Sequence, residues 1–235
     1  SLYTDGHSYC FACETYTHPD KTEEIKLFME THDTVFLDLE FMELKKRGLQ
    51  QKTCQFWGYG VSEYKGTKVQ VANYRDPSGQ LVAQKLRYAN KDFSVIGNLK
   101  KSGLYGEHLW RDGSKFVVIT EGEIDALSVS QIQDLKWPVV SIPSGCTSAK
   151  KAVGQSIEWL CKFDHVVIMF DMDEQGQKAA IEAANVLPPN KAKIAKLPLK
   201  DANEMLVAGR GSEVIDAIFS AKVYRPDGIV AGTDL

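Results

Sequence analysis

Two short acidic runs hold most of the chemistry this sequence could perform: Thr120-Glu121-Gly122-Glu123-Ile124-Asp125 and Phe170-Asp171-Met172-Asp173-Glu174. Asp171 and Asp173 are two apart, and on extended backbone residues i and i+2 point to the same side. Their carboxylates can share one cation or bridge two. Such hard oxygen ligands select Mg²⁺ or Mn²⁺, and Mg²⁺ is usually held by one or two carboxylates plus substrate phosphates. Two ions about 3.5–4 Å apart stabilise both the attacking and the leaving oxygen of an in-line displacement. Glu121 would face the aspartate pair as a further ligand or as a base for an attacking hydroxyl. Gly122 would permit a tight turn and close approach of a phosphate. The same acids also suit a plainer use, as caps or first-turn residues at the positive ends of helices, a role that fits Asp125 best.

The elements that must position these acids are legible in the hydrophobic pattern. Continuous apolar strands are expected at Lys115–Thr120, Pro138–Ile142 and His165–Phe170, with a last strand near Lys193–Leu197. Helices are expected at Ile124–Leu135, Ala149–Leu160 and Gly176–Val186. Unbroken Val and Ile strands alternating with helices indicate a mostly parallel sheet covered on both faces. Both acidic runs then follow strands directly, at the carboxyl ends where ligands of open α/β sheets gather. Ser144-Gly145-Cys146 reads as a turn after a strand rather than a nucleophile motif.

Upstream, Trp57–Leu86 breaks into short alternating runs separated by Lys65-Gly66-Thr67 and Asp76-Pro77-Ser78-Gly79, which is the pattern of an antiparallel meander. Before it, Lys21–Glu43 mixes charges with scattered apolar residues, and a short helix is expected at Asp38–Arg47, closed by Gly48 at the C′ position. The formal charge is −3, but Lys65–Lys115 holds ten Lys or Arg against four acids, so a basic middle precedes the acidic strands. Within it Lys85, Arg87 and Lys91 would supply mobile positive charge, with Arg suited to forked phosphate contacts. Such lysines also protect a solvated sheet edge. Five cysteines, of which only Cys10 and Cys13 are close, argue against a disulfide framework. No apolar run approaches the roughly 20 residues of a membrane span, and the opening residues lack the regions of a signal peptide. A cytoplasmic chain with no membrane partner is expected.

The motifs Glu121-Gly122-Glu123 and Asp171-Met172-Asp173, each after a strand, resemble the Toprim domain of bacterial-type primases, type IA and II topoisomerases and some nucleases. That resemblance implies that Glu121, Asp171 and Asp173 handle Mg²⁺ and phosphoryl transfer. Lys200-Asp201-Ala202-Asn203-Glu204 resembles the segment after the Toprim core of primases and adds Asp201 as an outer acid, or as one more helix cap.

Tyr74-Arg75-Asp76, Gln84-Lys85-Leu86-Arg87, Lys91 and Gly103-Leu104-Tyr105-Gly106-Glu107-His108-Leu109-Trp110, in this order before the acidic strand, resemble the RNA polymerase subdomain of T7-type phage primase-helicases. The implied fold is α+β, an antiparallel-sheet subdomain over 38–112 followed by an α/β Toprim domain over 113–222. The implied activity is synthesis of short RNA primers on a single-stranded DNA template from ribonucleoside triphosphates, with Arg75, Lys85, Arg87, Lys91 and His108 binding nucleotide or template. Ala89 stands where the family carries another lysine. Cys10-Phe11-Ala12-Cys13 matches half of a zinc ribbon, which needs four ligands; the chain begins as though cut from something longer, with a first cysteine pair upstream. Residues 1–20 are then a partial Zn²⁺ module in which His7 matches the residue that reads a template base, and 21–37 is a linker. Tyr224-Arg225-Pro226-Asp227-Gly228-Ile229-Val230 resembles the start of the linker, 223–235, to a helicase domain. That domain and the replicative DNA polymerase are the implied protein partners. No Gly-x-x-x-x-Gly-Lys-Ser/Thr phosphate loop occurs in the chain itself. Competing expectations are a Toprim nuclease and a non-catalytic single-stranded DNA-binding scaffold.

Overall fold

The computed structural model describes residues 8–10, 15–17, 34–111 and 113–226. The chain divides into two units, 1–35 and 36–235. In the first, strands β1 (Ser8–Cys10) and β2 (Thr15–Thr17) pair antiparallel with Tyr9 opposite Tyr16.

The second unit begins with an antiparallel sheet of four strands in sequence order: β3 (Tyr59–Tyr64), β4 (Thr67–Arg75), β5 (Leu81–Arg87) and β6 (Phe93–Gly97). Its first hairpin turns through Lys65 and Gly66, both at positive φ (50° and 74°), the backbone that matches the twist of tight hairpins. Val69 and Val71 alternate inward while Lys68 stays outside.

A five-stranded sheet follows. It comprises β7 (Phe116–Thr120), β8 (Val139–Ser141), β9 (His165–Met169), β10 (Ala192–Ile194) and the two-residue β11 (Lys222–Val223). The spatial order is β11-β10-β9-β7-β8, parallel throughout except for β11. The chain leaves β7 for β8 on one side and returns to β9 on the other, so the order reverses at β7/β9. That junction is where open α/β sheets bind ligands.

Helix α1 (Gln51–Trp57) leads into β3, α2 (Glu123–Ile132) follows β7, and α3 (Ala149–Gln155) with α4 (Ile157–Leu160) follow β8. Helix α5 (Glu174–Ala184) follows β9, and α6 (Ala202–Val207) and α7 (Gly211–Ser220) precede β11. Val118 and Val167 face a core that also takes in Leu127, Met205 and Val214, whereas Ile119 and Ile168 face Val153, Phe163 and the alanines of α5. Burial on both faces is why these strands read as unbroken apolar runs. The first of these cores continues into Trp57, Tyr59, Tyr74 and Ala83 of the antiparallel region, so the two sheets share one interior.

Three sequence expectations are corrected. Asp38–Arg47 is not a helix: Glu40 forms a bridge with Val61 beside the sheet, and only Lys45–Arg47 makes a single 3₁₀ turn. Apolar Leu37, Leu39 and Phe41 alternate at period two, and Leu37 and Leu39 pack against the antiparallel sheet, which outweighs the helical propensity of the charged residues between them. Gly48 does close that turn, at φ 63°. The helix that forms nearby is α1, which buries Thr53, Cys54 and Trp57. The meander has a fourth strand, β6, missing from the expected pattern, and the expected helix Ala149–Leu160 breaks at Ser156. No helix among the described residues is long and apolar enough to cross a membrane.

Candidate active site

Thr120 pairs in register with Met169, so the two chains leave neighbouring strands side by side and deliver Glu121 and Asp171 to the same end of the sheet. A cleft of about 480 Å³ opens there, with Glu121, Asp125 and Asp171 on one wall and Lys85, Arg87 and Phe93 on the other. The acids come from the parallel sheet and the cations from the antiparallel one.

Crowded negative charge is the electrostatic signature of the acidic wall. Burial, then the charge of Asp173, raises the Glu121 carboxyl above its ordinary range, against the lowering effect of the Asp171 and Cys146 N–H groups. Glu121 Oε2 is buried without a hydrogen-bond partner. Burial, Glu121 and Asp201 push Asp171 up to about 6, with Lys200 opposing them. Asp125 is pushed up to about 8, by burial first and then by Asp201 and Asp171, while the Asn203 N–H that it accepts at 3.1 Å lowers it. A buried carboxylate with like charges beside it favours its neutral form until a cation arrives.

Asp173 is also the N-cap of α5, its Oδ1 accepting from Gly176 N at 2.9 Å, and Asp201 caps α6 by accepting from Glu204 N at 2.7 Å. Asp125 stands in the first turn of α2, as its plainer use foresaw, while the side-chain caps of α5 and α6 are made by these two aspartates. Capping occupies only Oδ1 of Asp173; its Oδ2 lies 4.0 Å from Lys200 Nζ, which is 3.7 Å from Asp171 Oδ2. Among the described residues no three His, Cys, Asp or Glu side chains converge into a preformed metal cage. The donor set nevertheless suits a hard divalent ion: carboxylate oxygens, one of them buried and unpartnered, with the Glu121 and Asp171 carboxyls raised by burial and then by neighbouring negative charge. Gly122 is extended (φ −120°) at the N-cap of α2, not in a tight turn.

The basic residues divide. Lys85 is not mobile: its ammonium is 2.8 Å from Glu123 Oε1, donates to the Pro143 carbonyl at 2.9 Å, and sits 4.8 Å from the Phe93 ring centre. Glu123 also accepts from Tyr74 OH at 2.6 Å. Arg87 stands in the cleft without an ion pair among the described residues, its guanidinium 5.6 Å from the same ring centre. Lys91 lies in a left-handed turn (φ 71°) and lines a second groove with Lys45, Lys46 and Arg47, which Arg87 borders as well. Arg75 donates to the Gly79 carbonyl, and neither it nor His108 lines the acidic cleft. His108 is lowered to about 4 by burial and by the charge of Arg75. Cys10 closes β1, while His7 and Cys13 lie outside the described residues.

Sequence reading missed several residues here. Glu123 fixes Lys85, and its signal was the second acid of the Glu-Gly-Glu run. Lys200 faces both aspartates and stood in the recognised Lys-Asp-Ala-Asn segment. Cys146, read as part of a plain turn, brings its thiol to Glu121. Gly176 is packed so closely on Asp171 that a Cβ there would strike the Asp171 carbonyl oxygen.

Two family models match the chain: the N-terminal α+β fold of bacteriophage T7 DNA helicase/primase over residues 40–97, and a Toprim-like model over residues 118–206. The DNA helicase/primase of enterobacteria phage T3 is 38% identical over 247 aligned positions, covering all of this chain and 44% of that protein. The chain thus spans less than half the length of this relative. Primase domains in a structure of bacteriophage T7 lagging-strand DNA polymerase, bound to an RNA/DNA hybrid and dTTP, are 41% identical with a TM-score of 0.77; the match covers 83% of this chain and 98% of theirs. The crystal structure of the primase fragment of the T7 primase-helicase is 38% identical with a TM-score of 0.74, covering 92% of both chains.

Proposed function

Because this chain belongs to the T7-type phage helicase/primase family and corresponds to its primase part, we propose that it makes short RNA primers on single-stranded DNA. One observation carries the reading: Glu121 and Asp171 leave adjacent strand ends into a cleft whose opposite wall is Lys85, Arg87 and Phe93. A nucleoside triphosphate beside a divalent cation needs those two chemistries face to face.

In the proposed reaction the 3′-oxygen of one ribonucleotide forms a bond to the α-phosphorus of the next. The bond from that phosphorus to the β-phosphate bridging oxygen breaks, and pyrophosphate leaves. Glu121, with its raised proton affinity and unpartnered Oε2, takes the hydroxyl proton. Asp171 and Asp173, with Asp201 behind them, would hold Mg²⁺ or Mn²⁺, which when bound supplies charge neutralisation at the phosphates. Arg87 offers a forked contact to phosphate oxygens, and Lys85, fixed by Glu123, holds positive charge at a constant position. Positioning and fixed electrostatics do most of the work in such transfers.

In the longer protein, Cys10 and Cys13 would supply half of a zinc site near His7, and a helicase domain and the replicative polymerase would be the partners, within the host cytoplasm. The test is ribonucleotide polymerisation on single-stranded DNA with Mg²⁺ or Mn²⁺, comparing the chain with Asp171→Ala. Loss of di- and oligoribonucleotides in the variant alone supports the reading; equal products from both would remove the acidic site from it.

A further inference from the structure

Phe93 is an aromatic residue in an unexpected place. It opens β6, the edge strand of the antiparallel sheet, and leaves 52% of its surface open to solvent inside a cleft whose floor is charged. Its cross-strand partner is Arg87, and Val95, two residues on, pairs with Lys85. All four residues line the cleft. The ring is held by Lys85 and Arg87 at 4.8 and 5.6 Å, and Lys85 is itself locked to Glu123. Cations over an aromatic face attract its quadrupole and fix its orientation. The outcome is a half-open aromatic surface with the Arg87 guanidinium, which has no ion pair among the described residues, against it and carboxylates lining the same cleft.

An exposed Phe has two plain uses: shielding the methylene stems of its lysine and arginine neighbours, or packing against a missing apolar partner. The surroundings fit neither use alone. An apolar partner would have to bury Arg87, which has no counter-charge among the described residues. The ligand that needs a flat apolar face, a cation and a carboxylate-held metal within one 480 Å³ cleft is a nucleotide.

We propose that Phe93 is a base-stacking residue of this cleft, taking the nucleobase of a nucleoside triphosphate while Arg87 takes its phosphates. This deepens the primer-synthesis reading, on which it rests for the identity of the ligand. Stacking on an aromatic ring is sequence-tolerant because every base has a π-face. Phe93 would therefore bind purine and pyrimidine nucleotides alike and leave base selection to the template.

The experiment uses the whole chain. Phe93→Trp places a fluorophore at the platform, and subtracting the wild-type signal removes the four native tryptophans. Titration with ATP in Mg²⁺, without template, should quench the added fluorescence saturably, and inorganic tripolyphosphate should leave it unchanged. Equal quenching by tripolyphosphate, or none by ATP, overturns the proposal. In primer synthesis Phe93→Ala should raise KM for ribonucleotide roughly tenfold with kcat changed less than about twofold, and Phe93→Trp should restore KM. Phe93→Leu keeps the apolar shield without the aromatic face, so a wild-type KM in that variant would assign a packing role instead. A quenched Phe93→Trp chain with no polymerisation would sink the primer-synthesis reading and leave the nucleotide subsite standing. Normal polymerisation with an unquenched tryptophan would do the reverse.

Discussion

Lys85 Nζ lies 2.8 Å from Glu123 Oε1, and with side-chain exposures of 14% and 11% the pair is largely out of water. Lys85 belongs to β5 and Glu123 to the first turn of α2, so the contact ties the antiparallel sheet to the parallel one at the mouth of the cleft. Tyr74 OH donates to the same oxygen, and burial and the Glu123 charge hold the Tyr74 phenol protonated well above its ordinary range.

Breaking this pair from one side should cost far more than removing both partners. Lys85→Ala strands a buried carboxylate and should destabilise the chain by about 3 kcal/mol or more, whereas Lys85→Met with Glu123→Met should cost markedly less. Urea unfolding of the two variants measures the difference. Equal losses would mean that water reaches Glu123 freely.

Asp125 should make the stability of the metal-free chain fall with rising pH. Its carboxyl is raised to about 8, so the folded state keeps a proton that the unfolded state, near 3.8, releases. That contribution is fully present below about pH 4 and is lost as pH rises through about 8. Asp171, at about 6, still titrates at the lower end of the window from pH 6.5 to 8, Glu121 is raised as well, and His108, lowered to about 4, acts in the opposite direction. The Asp125 contribution is therefore read as the difference between the wild type and Asp125→Asn. In EDTA the wild type should lose up to about 1.4 kcal/mol per pH unit in this window, less for the part of the half-buried carboxylate that solvent reaches. Asp125→Asn should flatten the slope. Identical slopes in urea titrations of the two proteins would contradict the shift.

The fold was largely legible where one physical signal dominated. Strands β7, β8 and β9 announce themselves because burial on both faces demands runs of Val and Ile, whereas β10, Ala-Lys-Ile and only partly buried, is signalled more weakly; each lies within a few residues of its expected place. Asp38–Arg47 failed because its charged residues favour helix locally while Leu37 and Leu39 dock on a sheet formed later in the chain. Strand β6 was invisible because its ladder to β5 leaves Phe93 and Val95 exposed, so no buried face writes a pattern. At the cleft the acids follow from strand ends. The partner of Lys85 does not, since Glu123 meets it only through tertiary packing.

Asn203 is the second buried polar joint. Its side chain donates to the Arg47 carbonyl at 2.8 Å and to Ser128 Oγ at 3.0 Å, and accepts from Arg47 at 3.2 Å. It thereby fastens α6 to α2 and to the 3₁₀ turn that Gly48 closes. Asn203→Leu should leave the Arg47 carbonyl and guanidinium without their partner and cost about 2–4 kcal/mol, with Arg47→Ala recovering little of it. Thermal denaturation of the single and double variants tests this, and a loss below about 1 kcal/mol would show the joint to be dispensable.

Gly176 spaces the acidic wall. It lies in the first turn of α5, gives its N–H to Asp173 Oδ1 at 2.9 Å, and leaves no room for a Cβ between itself and the Asp171 carbonyl. The obstacle is backbone, which cannot rotate aside as a side chain would. Gly176→Ala should therefore either lift the start of α5, loosening the Asp173 cap, or displace Asp171 from the end of β9. Overpacking of this kind costs about 1–3 kcal/mol, and a shift near 1 Å at a reacting centre can cost about a hundredfold in rate. Gly154→Ala is the control: it lies within α3, and the nearest atom to its new Cβ is Val186 Cγ1 at 3.6 Å, an ordinary contact. There the added methyl should stabilise the helix by about 0.5–1 kcal/mol and leave primer synthesis unchanged. Matched denaturation and polymerisation measurements on both variants decide the matter: wild-type activity in Gly176→Ala would remove Asp171 backbone placement from the requirements of the site.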